Sequence, residues 1–237
     1  MKKKLNHIVI VFLIVPLLFA SCFYGIKGNG KVVSRTRQVE KFEAVDVSAG
    51  LEVILIQDSV YKVVVEADEN LQDVIKTEVS HGKLKIFPET SIRHAASRKI
   101  YVTIKTIHAL EAGSGAEVKS KMELKLPSLE ISVSSGANID LALNSNKLGV
   151  EGSSGGRIKL SGSAENLDVD GSSGVEIRMT DLHSNYCNAG ASSGANLKVS
   201  VSEKLTAKAS SGGQIKVSGN PKERNIEKSS GGDVSFN

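Results

Sequence analysis

The sequence predicts an all-β fold, a right-handed parallel β-helix of coils about 19–20 residues long. Three observations predict it. A Ser-Ser-Gly signature recurs at Ser134-Ser135-Gly136, Ser153-Ser154-Gly155, Ser172-Ser173-Gly174, Ser192-Ser193-Gly194, Ser210-Ser211-Gly212 and Ser229-Ser230-Gly231, after a looser copy at Ser114-Gly115-Ala116. The marker glycines, from Gly115 to Gly231, are separated by 21, 19, 19, 20, 18 and 19 residues. Apolar residues alternate with polar ones on both sides of each marker, as they do in half-buried strands. Composition agrees: aromatics are 4% and Trp is absent, which suits thin layers of Val, Ile, Leu and Ala better than a compact aromatic core.

Residues 1–21 read as a lipoprotein signal peptide, with Lys2-Lys3-Lys4 as the positive region and 8–19 as a short apolar stretch. That stretch is too short for a confident membrane-spanning helix. Leu18-Phe19-Ala20-Ser21-Cys22 resembles a lipobox, which makes Cys22 the lipidated new N-terminus and the membrane a partner through that anchor. Phe19 stands where Leu is usual, so a plain signal peptide remains the alternative. Removing 1–21 leaves 27 basic residues against 26 acidic ones, a net charge of +1. A nucleic-acid-binding protein would carry a clustered basic excess, so that class is set aside.

Residues 22–40 are expected to be the lipidated Cys and a flexible tether, since Gly25, Gly28 and Gly30 interrupt any apolar period. From 41 to 237 the chain reads as a single β-helix domain, irregular over 41–110 and regular over 111–237. Strands are expected around Val45, Val47, Val53 and Leu55, over 61–66, 83–87 and 100–107, with one helical turn over 68–75. Ser48-Ala49-Gly50 is a degenerate copy of the corner. Within the repeats, positions three and five after the markers from Gly136 onward, and seven and five before those from Gly136 to Gly212, are apolar, for example Ile139/Leu141 and Leu148/Val150. Each repeat should therefore give two short strands joined at a corner whose Gly permits positive φ.

Catalytic signatures dissolve on inspection. Gly152-Ser153-Ser154-Gly155-Gly156 and Gly190-Ala191-Ser192-Ser193-Gly194 fit a G-x-S-x-G pattern, but a nucleophile elbow needs a strand-to-helix turn with an acid and a His downstream. His81, His94, His108 and His183 have no partner at ligand spacing, so neither metal nor cofactor is expected. Cys187 falls on an inward position filled by Leu in neighbouring repeats, the place of a buried inert thiol. Asp168 and Asp170 are too few and scattered to cage a metal.

One outward row does stand out. Four residues past consecutive markers lie Lys159, Arg178, Lys198 and Lys216, a cation on each of four coils about 4.8 Å apart. This ridge is a candidate dock for an anionic polymer such as a surface polysaccharide. The other reading is a solvated face whose lysines discourage aggregation.

Phe42-Glu43-Ala44-Val45-Asp46-Val47-Ser48-Ala49-Gly50 with Val53, Glu66-Ala67-Asp68-Glu69-Asn70-Leu71, Gly82-Lys83-Leu84-Lys85-Ile86 and the recurring corners together resemble the auto-transporter adhesin head GIN domain family, over about 42–237. The resemblance implies a β-helix-like fold, a cell-envelope location and no catalytic residues. The functional expectation is a non-catalytic outer-membrane lipoprotein that binds carbohydrate or an envelope protein. The alternatives are a periplasmic structural or envelope-stress component and, more remotely, a lyase or hydrolase of acidic polysaccharide. The sequence leaves the leaflet face open, because no acidic run follows Cys22.

Overall fold

The computed structural model describes residues 25–237; the signal peptide expected over 1–21 and the lipidation expected at Cys22 lie outside the described residues. The first half runs β1 (Ile26–Lys27), β2 (Val32–Arg37), β3 (Ala44–Val47), β4 (Glu52–Gln57), β5 (Lys62–Asp68), β6 (Ile75–Ser80), β7 (Lys83–Pro88), β8 (Ile92–His94) and β9 (Arg98–Ile104). The second runs β10 (Ala109–Ala112), β11 (Glu117–Ser120), β12 (Leu124–Val133), β13 (Asn138–Gly152), β14 (Arg157–Gly171), β15 (Glu176–Ala191), β16 (Asn196–Ala209), β17 (Gln214–Ser218), β18 (Glu223–Lys228) and β19 (Asp233–Phe236). A single 3₁₀ turn at Glu69–Leu71 stands where the helical turn was expected.

The strands stack as a β-solenoid of about seven turns, each coil close to 19 residues. β12 to β16 pair in parallel with their neighbours, so equivalent residues superpose coil after coil: Ile139↔Ile158, Ile158↔Ile177, Ile177↔Leu197, Leu197↔Ile215. The inward set named from the sequence is buried at almost every place, and Ala116, Ala137, Val175 and Ala195 add a further layer beside the corner. The expectation of two short strands per repeat needs correction. β13, β14, β15 and β16 each run 14 to 16 residues from one corner to the next, bending without losing the ladder. Unequal repeat lengths are absorbed at that bend. Register slips between Lys159 and Ser161 and again between Met179 and Tyr186, while both flanking faces stay aligned.

The corner is a two-residue turn with both central residues at positive φ, as in type I′. Ser135 and Gly136 have φ of 50° and 71°, and Ala137 N–H donates to Ser134 C=O at 3.1 Å. Each corner is also tied to the next: the Gly136 N–H donates to Ser154 C=O at 3.1 Å and the Gly155 N–H to Ser173 C=O at 3.2 Å. The same chemistry makes the hairpin between β6 and β7, where His81 and Gly82 have φ of 50° and 73°.

Stacking order departs from chain order at the N-terminal end. β3 and β4 form a coil around Ser48-Ala49-Gly50, paired on one side with β7 and β9 and on the other with β10 and β11. The chain thus leaves this coil after β4, builds a layer above it, and returns to continue the stack below. Antiparallel pairing of β5 with β9 and of β6 with β7 gives that layer its distinct character.

Within the described part of the span 22–40, the expected flexible tether is replaced by paired strands. β2 pairs antiparallel with β5 along all six of its residues, and β1 pairs in parallel with β8. Asp68, wholly buried, supplies the physical reason: its carboxylate accepts from the backbone N–H groups of Gly30 at 2.8 Å, Ala96 at 2.9 Å and Ser97 at 3.0 Å. Buried Gln72 donates from Nε2 to both Val33 C=O (2.8 Å) and Val65 C=O (3.0 Å), bracketing β2 and β5. Two of the glycines read as flexibility instead allow close approach: a side chain at Gly28 would run into the Asp68 carboxylate and one at Gly25 into Ser91 C=O, whereas Gly30 has open space and φ of 77°.

Candidate functional site

The sequence-predicted ridge is assembled by parallel register. Lys159 lies opposite Arg178, Arg178 opposite Lys198 and Lys198 opposite Lys216, so the four cations form one unbroken row across β14, β15, β16 and β17. Lys159, Arg178 and Lys216 are exposed and Lys198 half-buried. Their alignment survives the slips at the bend because those slips fall after the ridge position in each coil.

Its electrostatics divide into two halves. Lys159 Nζ lies 3.7 Å from Asp140 in the same row, and Arg178 donates to Glu176 Oε1 at 2.8 Å. Arg157 Nε also approaches Glu176, at 3.8 Å. Such exposed pairs contribute only about 0–1 kcal/mol, so an anionic ligand can displace them. Lys198 and Lys216 have no carboxylate within ion-pair distance among the described residues. The row continues towards the N-terminal end as Asp140 and Lys119, but Lys119 is held by Glu117 (2.8 Å) and Glu52 (3.6 Å). The hydrogen bond to Glu117, more than the charge of Glu52, keeps the Lys119 ammonium above its usual pKa. A shallow depression of about 290 Å³, lined by Asn138, Asp140, Arg157, Lys159, Glu176 and Arg178 among others, marks the paired half.

Sequence reading missed Glu176 as a ridge partner, although its place two residues before Arg178 on one strand face was visible. The other residues named from the sequence lie elsewhere on the solenoid. Cys187 is buried between Leu167 and Leu205 in the ladder; burial, with Asp168 adding to it, pushes the thiol up to about 12. Ser154 and Ser192, the central serines of the two G-x-S-x-G matches, sit in corners with strands on both sides, Ser154 itself with φ of 49°. His183 sits beside Ser200, with Nδ1 3.4 Å from its hydroxyl and far along the coil from either corner.

The family model described as "Putative auto-transporter adhesin, head GIN domain" matches residues 41–221. The chain belongs to that family. Its solenoid is similar to the crystal structure of "a putative adhesin" from Bacteroides fragilis, with TM-score 0.83 and 20% identity over 90% of this chain and 100% of the other. A second such adhesin, from Parabacteroides distasonis, matches with TM-score 0.72 and 20% identity over the same shares. A "putative lipid binding protein" from Parabacteroides distasonis also shares the fold, with TM-score 0.69 and 20% identity over 90% of this chain and 100% of that one. No curated protein sequence matches the chain. Family and structural relatives are thus described as adhesins or a binding protein and not as enzymes, which supports an adhesin-like role without specifying a target.

Proposed function

We propose that the protein is a non-catalytic, adhesin-like binding module of the cell envelope, anchored by lipid at Cys22, that docks an anionic polymer along the Lys159–Arg178–Lys198–Lys216 ridge. The observation that carries this reading is the register: one cation on each of four successive coils, in a straight row. A flexible polyanion lying along the axis meets these charges at the coil rise of about 4.8 Å, and the unpaired Lys198 and Lys216 offer the strongest initial attraction. The lipid anchor and the signal peptide of 1–21 belong to the same proposal, as do an outer-membrane location and the absence of turnover. An anionic surface polysaccharide is the partner whose chemistry fits the row.

The test is binding of polygalacturonate by the purified protein across a salt series. We expect affinity to fall steeply with salt, and the variant K159E/R178E/K198E/K216E to lose binding while keeping its melting temperature. Retention of polygalacturonate binding by that variant would falsify the ridge reading. For location, a non-permeant protease applied to intact cells should degrade a surface-displayed protein; protection until lysis would place it in the periplasm and retire the adhesin reading.

A further inference from the structure

The other side of the corner carries a site of opposite character. The outward rows there come from the strand segments before each marker. One holds Lys147, Asn166, Tyr186 and Lys204, the next Glu130, Gly149, Asp168 and Asn188, and the third Ser132, Glu151, Asp170 and Gly190. They line a depression of about 410 Å³, which joins a second of about 380 Å³ through Glu151 and Asp170. The result is a furrow along the solenoid axis. Where two rows place glycine, a carboxylate of the neighbouring coil packs over it: Glu130 over Gly149 and Asp170 over Gly190, leaving no room for a Cβ at either.

Three features of the furrow select a ligand. Tyr186 is 46% exposed, an apolar ring left facing solvent in a chain with few aromatics. Glu130, Glu151, Asp168 and Asp170 form no ion pair among the described residues, so their oxygens are free to accept hydrogen bonds. Burial, reinforced by Asp168 and Glu151, keeps the Asp170 carboxyl above its usual pKa, a sign that these groups crowd one another. Asn188 adds an amide with both donor and acceptor capacity.

A ring platform beside a row of strong acceptors suits a molecule with one C–H-rich face and many hydroxyl donors. The same carboxylates repel polyanions. We propose that this furrow binds an uncharged glycan, with one sugar ring laid on Tyr186 and neighbouring hydroxyls donating to Asp168, Asp170 and Glu151. This site is separate from the ridge and requires neither Lys198 nor Lys216, so one protein would hold two glycan classes on the two faces that meet at the Ser-Ser-Gly corner.

The experiment uses the full-length protein in detergent and titrates tetramers of N-acetylglucosamine, mannose and galactose, with tetragalacturonate as the anionic counterpart. At least one neutral tetramer is expected to bind. Y186A should weaken it about tenfold, Y186F should restore it, and D168N/D170N should weaken it further. Tyr186 is exposed, so Y186A should keep the native melting temperature, and its contrast with Y186F separates stacking from folding. K198E/K216E should leave neutral binding unchanged while weakening tetragalacturonate, which keeps the two readings independent. The proposal is overturned if no neutral tetramer binds, if Y186A binds as well as the native chain, or if tetragalacturonate displaces the neutral sugar.

Discussion

Among the described residues, nine other than glycine hold positive φ, and seven of them are the corner serine: Ser114, Ser135, Ser154, Ser173, Ser193, Ser211 and Ser230. Serine is not the preferred residue there; Asn tolerates the left-handed region better. Ser154→Asn should therefore stabilise by a few tenths of a kcal/mol, up to about 1 kcal/mol, measured as a shift of the urea midpoint. Two glycines should answer differently to Ala. Gly155 has φ of 70° with open space around it, whereas Gly162 has φ of 109° and a Cβ there would meet Leu143 C=O at 2.0 Å. Gly155→Ala should cost about 1 kcal/mol and Gly162→Ala at least twice as much; equal costs would contradict the close approach. Asp68 gives a pH prediction. Backbone donors, Ser97 foremost, hold its carboxyl below the usual range despite burial. Its stabilising effect is present above the ordinary carboxylate pKa of about 4 and fades as pH falls through the lower folded value. The Asp68→Asn variant should accordingly melt lower at pH 7 and show a flatter melting curve between pH 5 and pH 3. Cys187, with its pKa raised to about 12, should ignore a thiol reagent at pH 8 until the chain unfolds.

At the scale of the element, the N-terminal layer and the last described coil present differently built edges. A parallel solenoid presents unpaired backbone at each end, a template for unwanted pairing. Above the first coil, β5 and β9 turn antiparallel and β2 adds a further strand, clamped by Gln72. Gln72→Ala would leave the Val33 and Val65 carbonyls without their donor. The expected loss is about 2 kcal/mol, with early protease cleavage within 25–38 as a second readout. In the last described coil every residue of β18 is exposed, and Arg224 stands where the preceding coil has Leu205. Its guanidinium packs 4.3 Å from the Phe236 ring centre instead of entering the core. Lys204–Glu223 and Lys208–Glu227 tie β18 to β16, and Lys228–Asp233 pairs within the coil. Charged side chains of this kind make a poor surface for adding another strand.

Across the whole molecule, each coil contacts mainly its neighbours, so stability spreads through the stack by nearest-neighbour packing. β18 pairs in the described structure with β16 alone, whereas β14 is flanked by β13 and β15. Hydrogen exchange should follow that difference, with the amides of Glu223–Lys228 fast and those of the β14 interior slowest. Uniform protection along the stack would mean that the solenoid opens only as one unit. The regular half keeps long rows of side chains in register over many coils, and this turns single substitutions per repeat into continuous surfaces. The ridge and the furrow are both products of that repetition, placed on faces that share the corner as their border.

The sequence by itself determined the repeat, the inward residues and the ridge, because a period near 19 and an alternation of two are local properties that parallel stacking carries directly into space. It also placed Cys187 on an inward position and read the Ser-Ser-Gly motifs as corners of the repeat. Only the tertiary structure decided that 25–38 is tied down, that the chain doubles back above its first coil, and that each repeat is one bent strand. Those outcomes depend on Asp68 and Gln72 meeting backbone groups about 30 to 40 residues away, and on antiparallel pairings that leave no periodic trace. The furrow escaped for a related reason: its shape comes from carboxylates folding over glycines of the next coil, a relation between neighbours in the stack that no single repeat contains.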